Sequence, residues 1–323
     1  MMNRREFISA VGLGLLASFA ARAQRGPYRI GFLASRSAED NNVKEFRKAL
    51  YDLGYRDPQN LHVEYRWASG NPEHFRKFAA ELVALKVDAI VVITTPGALA
   101  ARSATSAIPI VFIAVGDPVG AGVVSNLAYP GANVTGLTHM SIDLAAKTVE
   151  LLKEAVPGVT RIAVLAPLQN PTTALKLRGT QTAARLLGVK LRVLDVRTAS
   201  DFANAFQEMR NEKPEALITL LDTLTVAHRK EIADFALTNR LPTIYELPEF
   251  VEAGGLMSYG ADFPLMYRRA ATYVDRILKG AKPGELPVEQ PTKFELVINL
   301  RTAEALGLGL PQPLILRANR VIR

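Results

Sequence analysis
The chain has 323 residues, 49% of them hydrophobic and 22% charged, the balance of a folded globular protein of about two domains and not of a disordered tail. It contains no cysteine, which excludes a disulfide scaffold, a thiol nucleophile, a cysteine-ligated zinc site and a lipid-modified cysteine. The formal charge is +8, yet Lys and Arg alternate with acids and form no long like-charge run, so the basic balance gives no case for nucleic-acid binding.

The N-terminus reads as an export signal. Arg4-Arg5 form a positive head, Ile8 to Ala21 an apolar middle, and Ala21-Arg22-Ala23 a small-x-small exit. Arg4-Arg5 followed by Phe7 resembles the twin-arginine motif. The apolar stretch falls short of the ~20 residues that span a bilayer, and it is rich in Ala and Gly. Residues 1–23 are therefore expected to be removed, leaving an exported chain that starts near Gln24 and has no membrane insertion.

Beyond it, strands and helices alternate. Arg29 to Ala34 is a short apolar run, expected as a buried strand. Val43 to Leu53 places Phe46, Leu50 and Leu53 at helical spacing, with Gly54 as its stop. Leu61 to Trp67 alternates as a strand does, Glu73 to Leu85 is an amphipathic helix, and Asp88 to Thr94 is an apolar strand. Pro96 opens an Ala-rich helix, and Ile108 to Val115 is another buried strand. This order predicts a parallel sheet covered by helices on both faces.

The pattern then repeats at a nearly constant offset. Arg161 to Ala166 answers Arg29 to Ala34, Ala184 to Gly188 answers Ala49 to Gly54, and Glu215 to Asp222 answers Asp88 to Thr95. Leu241-Pro242 answers Ile108-Pro109. The repeat predicts two similar α/β lobes with a cleft between them. In such sheets ligands bind beyond the carboxyl ends of the strands, where helix N-termini favour anions. Thr94 and Thr95 before Pro96 stand at that place in the first half, and Asp222 with Thr223 in the second. Threonine hydroxyls suit a carboxylate and an aspartate suits an ammonium, so an amino acid fits between them. Helix capping is the competing reading of each.

Enzyme signals are weak. There is no nucleophile elbow, phosphate loop or dinucleotide fingerprint, and His62, His74, His139 and His228 show no metal-ligand spacing. Glu246 and Glu249 flank Pro248 in what reads as a loop, a poor setting for acid–base work, and Glu246 is kept as a candidate ligand-binding residue. No catalytic residue, metal or cofactor is expected.

Four motifs carry a family resemblance across nearly the whole exported chain. They are Ile90-Val-Val-Ile-Thr-Thr-Pro96, Ile108 to Val119 with its Gly-Asp-Pro-Val ending, Pro130-Gly-Ala-Asn-Val-Thr-Gly136, and Phe250 to Gly260 extended through Tyr267 to Ala270 and Leu286 to Glu295. The chain resembles the ABC transporter substrate-binding proteins whose better-known members bind tryptophan or tyrosine. The resemblance implies the type I periplasmic binding fold, two Rossmann-like parallel-sheet lobes joined by a three-crossover hinge. It implies a first lobe of residues 27–136 plus 260–294 and a second of 137–259 plus 295–323. The crossovers are expected near Thr135–Leu137, Tyr259–Asp262 and Phe294–Val297, with Gly136 as a pivot. It adds Ser35 and Asp117 to Thr94, Thr95, Asp222, Thr223 and Glu246 as candidate ligand-binding residues. One departure stands out: Ser35 to Glu39 offer no aromatic ring to stack on an indole or phenol.

The expected function is that of an exported, monomeric, periplasmic protein that captures a small ligand, an amino acid or related organic acid, and delivers it to an ABC permease. A periplasmic sensory module and an exported enzyme are the alternatives.

Overall fold
The computed structural model describes residues 26–35, 40–69 and 71–323. The export segment, residues 1–23, lies outside the described residues.

The central strands form where the sequence is continuously apolar. Strands β1 (Tyr28–Ala34), β3 (Ala89–Ile93) and β4 (Ile110–Val115) bury nearly every side chain, as parallel strands covered on both faces must. With β2 (Leu61–Trp67) and β5 (Val134–Thr138) they make a five-stranded parallel sheet in the order β2-β1-β3-β4-β5. Helices α1 (Asn41–Asp52), α2 (Pro72–Ala84) and α3 (Thr95–Ala104) cover it. Asp40 caps α1 through the N–H groups of Asn42 and Val43, and Asn71 caps α2 ahead of Pro72.

The second sheet has seven strands in the order β12-β11-β10-β9-β8-β6-β7. Its strands are β6 (Arg161–Ala166), β7 (Lys190–Asp195), β8 (Ala216–Thr219), β9 (Thr243–Tyr245), β10 (Met257–Ala261), β11 (Phe294–Asn299) and β12 (Arg320–Ile322). The helices of this half are α4 (Ala145–Ala155), α5 (Pro171–Leu186), α6 (Asp201–Glu212), α7 (Thr223–Ala227), α8 (Arg229–Thr238) and α9 (Pro248–Glu252). The expected all-parallel sheet holds except for one pair, because β11 runs antiparallel to β10. The chain leaves the second sheet after β10, builds α10 (Phe263–Leu278) against α1 and the first sheet, and re-enters beside β10 from the opposite end. Short helices α11 (Leu300–Ala305) and α12 (Gln312–Leu316) follow.

The strand ends locate the passages between the sheets. Thr135–Leu137 lies inside β5, so the first passage begins only after Thr138. Gly136 pairs with Phe112, and a Cβ there would stand 2.1 Å from the Phe112 carbonyl oxygen. Its bare backbone permits this close strand approach. The left-handed backbone in that passage falls at Met140, φ +52°. Phe294–Val297 likewise lies inside β11. The second and third passages run side by side: the Asp262 N–H donates to the Lys293 carbonyl at 3.2 Å, and Lys293 Nζ donates to the Asp262 carboxylate at 2.8 Å.

Candidate functional site
The carboxyl ends of the two sheets face one cavity. From the first lobe it is lined by Ala34 and Ser35 after β1, Asn42 of α1, Ile93 to Thr95 at the β3–α3 turn, and Ala114 of β4. From the second lobe come Asn170 and Thr172 at the start of α5 and Leu221 to Thr223 at the β8–α7 turn, with Val226 and Leu247. His139 in the first passage and Phe263 and Tyr267 of α10 complete the wall. The space amounts to about 730 Å³, counting its mouth.

The first-lobe side is strained and polar. Thr94 takes φ +75° and Ala114 φ +59°, conformations that cost of order 1–3 kcal/mol outside glycine and gather at functional sites. Ala114 sits where the β4–β5 register shifts. Ser35 Oγ and Thr94 Oγ1 are buried and have no hydrogen-bond partner among the described residues. A buried unpaired hydroxyl costs about 1–3 kcal/mol, and a polar ligand in the cavity would supply its partner.

The second-lobe side is an ordered relay. Thr95 Oγ1 bonds Thr172 Oγ1 across the lobes at 2.8 Å. The Thr172 N–H donates to Asn170 Oδ1 at 3.1 Å, and Asn170 Nδ2 donates to Asp222 Oδ2 at 2.9 Å. Asp222 also caps α7, accepting the Leu224 N–H at 2.8 Å in a capping box with Thr225. It is thus both a helix cap and a cavity wall. Burial pushes its carboxyl upward, while the Leu224 N–H, Asn170 and Thr223 pull it back. A cation beside it would relieve that desolvation.

Five of the seven expected residues meet in this cavity: Ser35, Thr94, Thr95, Asp222 and Thr223. Asp117 does not line it. Its Oδ1 accepts the Gly120 N–H at 2.8 Å, and a Cβ on Gly120 would stand 2.0 Å from Asp117 Oδ2, so the carboxylate builds a tight turn. Glu246 does not line it either. It is buried behind the wall, where Lys176 Nζ meets Oε1 at 2.5 Å and Ser141 Oγ donates to Oε2 at 3.0 Å. His139 Nε2 stands 3.6 Å from Oε2. Burial alone would raise the Glu246 carboxyl, but the Lys176 charge, His139 and these hydrogen bonds outweigh it and leave it low. Burial pushes the His139 imidazole down and keeps it neutral at pH 7, despite the opposing pull of Glu246.

Some wall residues carried no local signal. Phe263 and Tyr267 supply the aromatic surface that residues 35–39 lack, and His139 packs on Phe263 with ring centroids 5.6 Å apart. Tyr267 lies in a motif that carried the family resemblance, but only the packing of α10 shows that it faces the cavity. The Asn-Pro pair at 170–171 is a helix-start signal that could have pointed to Asn170. Among the described residues no group of acidic, His or Cys side chains is placed to hold a metal ion, and no helix is long and apolar enough to cross a membrane.

The family model for ABC transporter substrate binding proteins matches residues 30–322. The chain belongs to that family. A tyrosine-binding protein of Clostridioides difficile is 30% identical over 280 residues, 86% of this chain and 80% of that protein. The structure of a Streptococcus pneumonia ABC domain in complex with L-Trp is 27% identical, covers 92% of this chain and all of its own, and superposes with a TM-score of 0.86. The ligand-free, open structure of a substrate-binding protein with adhesive properties from Clostridium difficile is 26% identical over 91% of this chain and 99% of its own, with a TM-score of 0.66. At nearly equal identity and coverage, the whole chain superposes more closely on the tryptophan complex than on the open structure. The fold is that of type I periplasmic binding proteins, and the relatives are substrate-binding proteins rather than enzymes.

Proposed function
We propose that this chain captures an α-amino acid with an apolar or aromatic side chain between its lobes and delivers it to an ABC permease. The observation that carries the reading is one cavity with donors on one side, a carboxylate on the other and apolar walls between. Ser35, Thr94 and Thr95 with the first N–H groups of α3 receive the ligand carboxylate. Asp222 receives the ammonium, held in place by Asn170 and Leu224. Ile93, Leu221, Leu247, Phe263 and Tyr267 surround the side chain. Relatives described as tyrosine-binding and as tryptophan-bound support the aromatic end of this class.

In this reading residues 1–23 direct twin-arginine export, and the mature protein works as a periplasmic monomer. The first lobe comprises 27–136 plus 260–294 and the second 137–259 plus 295–323. Closure turns on the three passages between them. Native mass spectrometry of freshly purified protein tests the ligand assignment. A co-purified adduct with the mass of an apolar or aromatic amino acid is expected. An adduct with no amino group overturns it.

A further inference from the structure
Gly116 follows β4 in the first lobe, yet it is pressed against the second. A Cβ built on it would stand 2.1 Å from Thr172 Cγ2, far inside the roughly 3.5–4.0 Å of ordinary carbon contact. The same Cβ would lie 3.0 Å from Ser141 Cβ and 3.1 Å from His139 Cε1, both on the first passage. Two hydrogen bonds hold the backbone at 116 in place. Its carbonyl accepts the Ser141 N–H at 3.2 Å and the Thr138 hydroxyl at 3.3 Å. Thr172 is equally fixed, with its N–H on Asn170 and its hydroxyl on Thr95 of the first lobe. The Thr172 methyl and hydroxyl thus seat in a notch formed by Gly116 and Thr95. Gly116 does not line the ligand cavity.

We propose that Thr172 seated in the Gly116–Thr95 notch is a latch that populates the closed form even without ligand. All its contacts come from the protein itself, so it biases closure before any ligand arrives. A partly populated closed state raises apparent affinity in proportion to its population. Gly116 and Thr172 would then set affinity through the closing equilibrium, Gly116 without touching the ligand. The absence of a side chain at 116 is what lets the lobes meet.

The experiment reads unliganded, refolded full-length mature protein. The chain has no cysteine, so Lys77→Cys on α2 and Ala203→Cys on α6, both exposed, carry the only two spin labels. Double electron–electron resonance is expected to show a short and a long distance in this labelled background. Gly116→Ala should deplete the short distance about tenfold, the change that corresponds to 1.4 kcal/mol. Thr172→Ser removes only the methyl that the added Cβ at position 116 would strike and keeps the hydroxyl. In the Gly116→Ala background it should restore the short distance. A single distance that Gly116→Ala leaves unchanged overturns the latch, as does a loss that Thr172→Ser fails to restore in a folded double variant. Failure of L-tryptophan and L-tyrosine to bind would strike at the proposed ligand class and leave this result standing.

Discussion

Thr94 pairs a strained backbone with a buried hydroxyl that has no partner among the described residues, two costs that folding alone does not explain. Both are explained if the residue is held ready for a ligand oxygen. Thr94→Gly should relieve the strain and leave chemical stability undiminished while weakening amino-acid binding. Denaturation midpoints and calorimetry on one preparation separate the two effects. Across the cavity, Asp222→Asn keeps the shape of the cap and removes the charge. A charge-assisted hydrogen bond contributes about 1.5–3 kcal/mol, so affinity for an amino acid should fall roughly ten- to a hundredfold. The des-amino analogue should be affected far less, and equal losses for both would reduce Asp222 to a helix cap. These strand-end residues were legible because they stand at equivalent places in an internal repeat. Asp117 misled because Gly-Asp-Pro-Val gives no sign that the carboxylate folds back on Gly120. Glu246 misled because its partners, Lys176, Ser141 and His139, are distant in sequence.

At the scale of elements, β1, β3 and β4 were readable as apolar runs, since strands buried on both faces carry no polar alternation. The antiparallel β11 was not, because direction depends on where the preceding helix is laid down. The aromatic wall was hidden for the same reason: α10 reaches the cavity by crossing from the second sheet to the first. Phe263→Leu keeps an apolar wall and removes the ring. Aromatic contacts add about 0.5–1.5 kcal/mol beyond area, so affinity for tryptophan or tyrosine should fall roughly two- to tenfold while leucine binding holds. Behind the wall, β9 leads into Glu246 and α5 carries Lys176, a buried ion pair. Lys176→Met strands a buried carboxylate and should cost about 3–5 kcal/mol in a denaturant melt. Acid should weaken the same cluster. His139 has a folded pKa below its ordinary 6.5, so the native state resists protonation and stability falls as pH drops below that value. Glu246 has a folded pKa below its ordinary 4.5, and its contribution is lost further down as it protonates. His139→Asn should flatten the first of these losses, between pH 7 and the folded pKa. An unchanged slope there would place the titrating group elsewhere.

The whole molecule is two lobes whose strand ends face each other, tied by three passages and by the Thr95–Thr172 bond. Ligand that binds the closed form alone should stabilise the fold by about 2.7 kcal/mol at a hundredfold excess over Kd. The two-lobe plan was visible in the repeat of Arg29 to Asp88 segments by Arg161 to Glu215 segments, whereas the passages were displaced into the strands because hydrogen bonding runs past the sequence boundaries. The central claim is that this interlobe cavity grips both ends of an amino acid. Calorimetry of refolded, ligand-free protein tests it most directly, with L-tryptophan and L-tyrosine against their des-amino and decarboxylated analogues. The account predicts one-site binding of at least one of these amino acids, and loss of roughly tenfold or more in affinity when either polar end is removed. Binding that ignores the loss of both ends, or no binding by any apolar or aromatic amino acid, would contradict it.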